Sequence, residues 1–253
     1  YTSPHTLSLH DALPISHQIE TMKNLLTTLF ITGLLMLCYV TVNAQETAPQ
    51  RPAPPQARQQ PTEKTRRFLL RYISAYDTCK TLKDRETILR GVEMVAQASA
   101  NDWISQYHAG FYNAIISKEH KDTAEANALL NRAESFVKKA ASLQKDESEI
   151  VLLMAMINGM RIGVNPELGA KLGPEVMAEY DKAKKLNAEN PRVYLVIGES
   201  LMYMPEQAGG GKKAAKSMIE LALKKYETDK HDDPAWPSWG KNRATELTTT
   251  LNK

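Results

Sequence analysis

Apolar residues recur at every third or fourth position along most of the chain, which is the spacing of one face of an α-helix. Stretches that alternate between apolar and polar residues, the pattern of half-buried strands, are absent from the sequence. Six prolines fall between the apolar windows, where a missing backbone N–H is tolerated: Pro166, Pro174, Pro191, Pro205, Pro234 and Pro237. The sequence therefore predicts an all-α protein. The predicted helical windows are 68–79, 88–98, 103–116, 126–143, 150–162, 176–186, 193–204 and 214–226.

The helical pattern repeats along the chain. A shift of 43 residues carries 139–143 onto 182–186 and Ala155 onto Gly198. Small residues at fixed places in a repeat allow neighbouring helices to approach closely, and larger side chains one turn away fill the holes. Each repeat is therefore predicted to be one antiparallel helix pair. The predicted structural positions are Ala133, Ala140, Leu143, Ala183, Leu186, Tyr194, Gly198, Ala215 and Ala222.

Ala183, Leu186, Tyr194 and Gly198, together with the polar turn 186–191, resemble the tetratricopeptide repeat (TPR). The resemblance implies an α-solenoid of about four TPR-like helix pairs with a C-terminal capping helix, as in secreted bacterial TPR-like proteins. The spacing is longer than the family's unit of about 34 residues. Ala140 and Ala183 are 43 positions apart, and Ala183 and Ala222 are 39 apart. We expect the excess to form inserted loops on one edge, at 163–173 and 205–211, where repeat proteins often bind partners.

The first 61 residues are expected to lie outside the folded domain. Residues 1–21 resemble translated sequencing-adapter read-through. Residues 22–44 have a cationic start, an apolar run and small residues at their end, as in a secretory signal peptide cleaved after Ala44, although an uncleaved membrane anchor is the alternative. Residues 45–61 are rich in Pro and Gln and predict a disordered linker. The helical-repeat domain is then 62–253, in an exported protein of the periplasm or cell envelope.

Charge and motifs exclude several function classes. The chain has 32 basic and 29 acidic residues without a clustered basic face, which argues against a nucleic-acid partner. The run Gly209-Gly210-Gly211-Lys212 lacks the strand and the Ser/Thr of a nucleotide-binding loop, and predicts a turn with positive φ before a new helix. We predict no catalytic residue, no cofactor and no metal site, because the three histidines after residue 44 have no ligand-like spacing: His108, His120 and His231.

A stripe of partner-binding residues follows from the repeat register. If Tyr194 and Gly198 pack inward, their neighbours on the same helix line a concave groove. An extended peptide, a partner protein or a small apolar ligand suits such a groove, so we predict a binding or assembly scaffold. One alternative is a ligand-binding component of an envelope transport system, and another is a purely structural, oligomeric role. A hydrolase is a third, for which a second carboxylate or a histidine near Glu199 would be needed. The predicted groove residues are Gln106, Asn113, Leu152, Met156, Leu195, Glu199 and Met202.

Two tryptophans, Trp236 and Trp239, lie in the segment Pro234–Gly240. We expect this turn to dock a capping helix, residues 239–251 with Ser238 as N-cap, over the exposed end of the repeats. The alternative is that the two indole rings form an aromatic platform for a sugar or a peptide.

Overall fold

A computed structural model describes residues 62–252, and over this range the protein consists of helices and turns without strands. The all-α prediction is confirmed for these residues. The read-through, signal-peptide and linker predictions fall on residues that lie outside this range. Between residues 62 and 252, no helix combines the length and apolar character needed to cross a membrane. The α-helices are α1 (Glu63–Tyr76), α2 (Leu82–Ala98), α3 (Trp103–Ser117), α4 (Thr123–Leu143), α5 (Ser148–Val164), α6 (Gly169–Leu186), α7 (Pro191–Tyr203), α8 (Lys212–Tyr226) and α9 (Lys241–Leu251).

Side-chain caps define where most of these helices begin. Each cap oxygen accepts a hydrogen bond from a backbone N–H in the first turn, which would otherwise have no partner. Each of the eight predicted apolar windows falls within or overlaps one helix. The capping residues are Thr62, Thr81, Asp102, Asp122, Glu147 and Asn190.

Consecutive helices pack against each other, and α3 also contacts α5, which in turn contacts α7. The contacts within two helix pairs are close at glycine. A Cβ atom on Gly110 would lie 2.6 Å from Val137 of α4, and one on Gly198 would lie 2.7 Å from Ile219 of α8. The same close helix–helix approach at glycine therefore occurs at these two places among the described residues.

Most of the predicted structural positions lie inside the protein. Leu143 is half-buried, and Leu186 is 36% exposed because it ends α6 at a surface turn. The buried positions are Ala133, Ala140, Ala183, Tyr194, Gly198, Ala215 and Ala222.

The two expected inserted loops have different structures. Residues 163–173 are mostly helical rather than an open loop, since α5 continues to Val164 and α6 begins at Gly169 after a single 3₁₀ turn. Pro174 lies inside α6, so it does not mark a boundary, and the helix lacks the hydrogen bond that its N–H would donate. In 205–211 the predicted turn is confirmed: Gly209 and Gly211 have φ of 85° and 92°, and α8 begins directly afterwards.

The last helix starts later than predicted. Gly240 precedes α9 with φ of 102°, a left-handed conformation that ends the preceding segment and keeps Trp239 out of the helix. Ser238 is therefore not the N-cap, and α9 begins without a side-chain cap. α9 packs against α8.

Candidate functional site

The buried apolar side chains form two clusters, one centred on α1 to α5 and the other on α5 to α9. Among the described residues, two partly exposed side chains pack against both clusters: Met156 of α5 and Trp239. We call the place where these two side chains meet the two clusters the seam. The seam thus consists of two partly exposed side chains, Met156 and Trp239, that each border both clusters.

The segment between α8 and α9, residues 229–240, lies against α3 instead of running directly to α9, and we call it the strap. Arg66 of α1 pairs with the strap carboxylate Asp233 at 3.0 Å. The His108 side chain donates from Nε2 to the carbonyl oxygen of strap residue Ala235 at 2.8 Å. The strap thus covers a part of α3 that would otherwise be open to solvent.

The two tryptophans of the strap contact α3, whereas we expected them to dock the final helix onto the last repeat. Trp236 packs edge-on against Trp103 with ring centroids 5.2 Å apart, and Trp239 stacks on Phe111 at 5.0 Å. The physical reason is the aromatic stripe on α3: Trp103, Tyr107 and Phe111 are four residues apart and share one helix face. Covering that stripe removes a large apolar area from water.

Trp239 is held at three points. Its indole Nε1 donates to the phenol oxygen of Tyr107 at 2.9 Å. Its carbonyl oxygen accepts a hydrogen bond from the Tyr226 hydroxyl at 3.0 Å. Its ring lies nearly parallel to that of Phe111, with an interplanar angle of 22°. The indole ring is therefore fixed in position and orientation, although part of it remains exposed.

A buried ionic network lies behind Tyr107. The Tyr107 hydroxyl donates to Glu149 at 3.3 Å, Glu149 pairs with Arg192 at 2.7 Å, and Arg192 pairs with strap residue Asp229 at 2.8 Å. Burial raises the pKa of the Glu149 carboxyl, and Arg192 only partly opposes this. Burial would lower the pKa of the Arg192 guanidinium, but Glu149 and Asp229 outweigh it and the net shift is upward. The network ties α5, α7 and the beginning of the strap together.

The middle of the strap is less completely bonded. His108 Nδ1 and Trp236 Nε1 are both buried and have no hydrogen-bond partner. Because Nε2 of His108 carries the proton that it donates to Ala235, Nδ1 presents a lone pair. Burial lowers the pKa of His108 to about 4, although the bond to Ala235 opposes the shift, so the imidazole is neutral at pH 7.

Four of the seven predicted groove residues are enclosed by protein: Gln106, Asn113, Leu152 and Leu195. Gln106 donates to the carbonyl oxygen of Ala96 at 2.6 Å, so its amide is engaged within the fold. The expectation that they line an open groove does not hold for these four in this structure, because they are buried within the packed helices. Met156, Glu199 and Met202 are partly exposed.

The partly exposed predicted residues lie on α5 and α7. Glu199 of α7 pairs with Arg243 of α9 at 2.8 Å, which places a cation and an anion beside the stripe that contains Met202. Tyr203, at the end of α7, is 87% exposed. Helix α7 therefore carries a methionine, a tyrosine and one partner of an ion pair that reach solvent.

A cleft of about 390 Å³ lies where α3 and α5 end. Lys118 and Lys121 line one side, next to the start of α4, and Gly163 and Val164 line the other. The predicted inserted segment 163–173 thus borders this cleft with its first two residues. The two lysines give the cleft a cationic side.

His120 and His231 bond to groups other than the seam residues. His120 contacts Glu125 at 2.9 Å and Glu86 at 3.4 Å, and His231 stacks on Trp236. In the part of the chain that the structure describes, His, Cys, Asp and Glu side chains form no group of three able to hold a metal ion.

The seam itself was missed from the sequence, although its parts were noticed. Met156 was assigned to a groove and Trp239 to a cap or an aromatic platform. The available signal was the aromatic stripe at i, i+4 and i+8 on α3, which needs a partner surface to cover it.

Comparison with known proteins finds no matching family model and no matching curated protein. Among solved structures, the chain is similar to the HusA haemophore from Porphyromonas gingivalis, with 30% sequence identity and a TM-score of 0.64. The similarity covers 72% of this chain and 90% of HusA. HusA is described as a haemophore. At this identity and coverage, the chain belongs to the same protein family as the HusA haemophore.

Proposed function

We propose that this protein binds a tetrapyrrole such as haem, and that the flat face of the macrocycle lies on the seam. The observation that carries the proposal is the 30% identity to a haemophore over 90% of that chain. The partly exposed seam supplies a place for the ligand, since it is apolar, aromatic and continuous with both clusters. A binding role without catalysis is consistent with the relative's description.

The side chains of the seam suit a large, flat, apolar ring. Trp239 provides an aromatic ring that is braced by its stacking on buried Phe111, and aromatic rings pair favourably with other flat π-systems. Met156 adds an adaptable, polarisable thioether that can fill the space beside an irregular ligand. Small-molecule sites are mostly apolar with a few polar groups that orient the ligand, and the seam has this composition.

The carboxylates of a tetrapyrrole would find cations at two places near the ends of these helices. Arg243 lies beside the α7 stripe through its pair with Glu199, and Lys118 and Lys121 line the cleft at the ends of α3 and α5. Charge-assisted hydrogen bonds between such cations and carboxylates are stronger than neutral ones and fix orientation. The apolar seam would then set affinity, and the cations would set which edge of the ring points outward.

The test is a haemin titration of the full chain at fixed ionic strength, followed by the Soret absorbance. We expect saturable one-to-one binding by the wild type. Met156→Glu places a charge against the macrocycle and should weaken binding by at least about tenfold. Met94→Glu is the matched control, because Met94 lies on α2 and is 60% exposed. If neither substitution weakens haemin binding, the seam is not the site. If the wild type does not bind haemin saturably, the proposed function is wrong.

The repeat architecture and the cellular location belong to the same proposal. The close helix contacts at Gly110 and Gly198 support a stack of TPR-like helix pairs. A haem-binding protein outside the cytoplasm would pass its ligand to an envelope transport system, in accord with the signal peptide predicted at 22–44. Fractionation of cells that express the tagged full chain tests this location: a cytoplasmic pool alone would contradict it.

A protein or peptide partner is the second candidate, and one observation favours it. Tyr203 is 87% exposed at the end of α7, which is unusual for a large aromatic side chain and typical of contact surfaces. A partner that is recovered from envelope extract by the wild type and lost with Tyr203→Ser would support this scaffold function. Identical recovery by both proteins would contradict it, and the haemin titration of Tyr203→Ser should match that of the wild type.

A further inference from the structure

We infer that Trp239 is the residue that stacks on the bound macrocycle, and that Tyr107 is a positioning residue that holds the Trp239 ring for this contact. The inference rests on the proposed function and deepens it, because it assigns specificity for a flat aromatic ligand to the strap. The strap is thereby part of the binding site, where sequence reasoning expected a structural cap.

The location of Trp239 in the fold supports this assignment. It shares with Met156 the property of packing against both apolar clusters, and both are partly exposed. One face of its ring is occupied by Phe111, at a centroid distance of 5.0 Å. Trp239 is therefore a partly exposed aromatic residue that borders both apolar clusters, as Met156 does.

Hydrogen bonds that lead into the core fix the orientation of the Trp239 ring. Tyr107, which accepts the indole hydrogen bond, is fully buried and is itself hydrogen-bonded to Glu149. Glu149 is paired with Arg192, so the atoms that orient Trp239 are connected to the interior of the domain. A ring held in its binding orientation before the ligand arrives loses little conformational entropy on binding, and this favours affinity.

The backbone that follows Trp239 takes a left-handed conformation at Gly240. Gly240 has φ of 102°, and a Cβ atom at this position would lie 2.2 Å from the Tyr226 hydroxyl and 2.7 Å from Leu195. The close turn lets the Trp239 carbonyl accept its bond from Tyr226 while α9 starts immediately afterwards. The chain therefore aims Trp239 through a local conformation that only glycine adopts without strain.

Trp236 provides the matched control within the same strap. It is also partly exposed, but it packs against the first cluster alone, and its ring contacts are Trp103 and His231. Its Nε1 has no hydrogen-bond partner. If any strap tryptophan could bind the ligand, Trp236 and Trp239 would behave alike on substitution.

The first experiment is a haemin titration of the full chain with Trp239→Leu, Trp239→Phe, Tyr107→Phe, Trp236→Leu and the Tyr107→Phe/Trp239→Leu double variant. We expect about tenfold weaker binding for Trp239→Leu, recovery to within about threefold for Trp239→Phe, and about threefold weaker binding for Tyr107→Phe. The double variant should bind like Trp239→Leu alone, because a positioning residue has no effect once its ring is gone. Trp236→Leu should stay within about twofold of the wild type.

Each other result has a defined meaning. Wild-type affinity in Trp239→Leu, or additive effects of the two substitutions, would overturn the inference while leaving the proposed function in place. If haemin binding by the wild type does not saturate, the proposed function itself is wrong.

The second experiment leaves the fold intact, so it decides the matter even where a substitution prevents folding. The chain has three tryptophans, and 5-fluorotryptophan labelling gives each a ¹⁹F resonance. Addition of metal-free protoporphyrin, which is diamagnetic, should shift the Trp239 resonance most, because ring-current shifts fall steeply with distance. A larger shift of Trp103 or Trp236 would overturn the assignment. Trp239→Phe identifies the resonance by its disappearance.

Discussion

The guanidinium of Arg192 lies 2.7 Å from the carboxylate of Glu149, and the two side chains are 1% and 2% exposed. Arg192 also reaches the strap through Asp229, so one buried cation joins α5, α7 and the segment that carries Trp239. Taking two charges out of water costs free energy that only good geometry and further hydrogen bonds offset. The Arg192 side chain is therefore one of the contacts that hold the strap, and it is the one that links the strap to α5 and α7 through buried charges.

Replacing Arg192 with methionine should reduce the free energy of unfolding by about 3–5 kcal/mol, because Glu149 is left buried without its partner. Equilibrium urea unfolding measures the change. Arg243→Met is the control: its pair with Glu199 is more exposed, so its loss should cost less than about 1 kcal/mol. Equal effects of the two substitutions would show that the buried network does not stabilise the domain as described.

Stability should fall in acid through His108. Burial lowers its pKa from 6.5 to about 4, so the folded state binds this proton more weakly than the unfolded chain does. The contribution of His108 to the free energy of unfolding is then complete above pH 6.5. It declines as the pH falls towards 4, by at most about 3 kcal/mol. Urea unfolding at pH 7.5, 5.5 and 4.5 measures the slope. His108→Gln should flatten it; a slope unchanged by His108→Gln would contradict the prediction.

Close helix contact at Gly198 can be tested with an added methyl group. In Gly198→Ala the Cβ would lie 2.7 Å from Ile219 and 3.2 Å from the Ala215 carbonyl oxygen. We expect a loss of about 1–3 kcal/mol in the free energy of unfolding, since an overpacked core must shift. Gly173→Ala in α6 is the matched control, because nothing lies within 4 Å of its Cβ position. Thermal unfolding should show a lower midpoint for the first and an unchanged or higher one for the second.

The ion pair between Glu199 and Arg243 should regulate carboxylate recognition at the seam. Glu199→Gln frees the arginine and should strengthen haemin binding by about two- to threefold, whereas Arg243→Gln should weaken it by a similar factor. Titration with protoporphyrin dimethyl ester removes the ligand charges and should abolish both effects. Effects that persist with the ester would indicate that the pair acts on packing and not on carboxylates.

The positions of the helices were predictable because their signals are local. Apolar spacing, the prolines at helix starts and the small residues at Ala140 and Ala183 act within one or two turns, so a short window contains the information. The Gly209–Gly211 turn was predictable for the same reason. The interval 163–173 was misjudged because residues that continue a helix were counted as an insertion between helices.

The candidate site was harder to predict because its contacts join distant parts of the chain. Trp239 and Tyr107 are 132 residues apart, and nothing near either residue in the sequence specifies the other. Arg192 follows a proline in a polar turn, a place where a charged side chain is usually solvated, yet it is buried between two carboxylates. Gln106, which the repeat register placed in the groove, is buried and donates to the Ala96 carbonyl oxygen of α2.

The central claim is that a tetrapyrrole lies on the seam, and methyl NMR tests it most directly. The full chain labelled with ¹³C-methyl methionine is titrated with metal-free protoporphyrin. The account predicts that the Met156 methyl resonance shifts most, with a smaller shift for Met202, while Met94 and Met177, which are exposed on α2 and α6, remain unchanged. Shifts confined to Met94 or Met177, with Met156 unperturbed at saturation, would contradict the account.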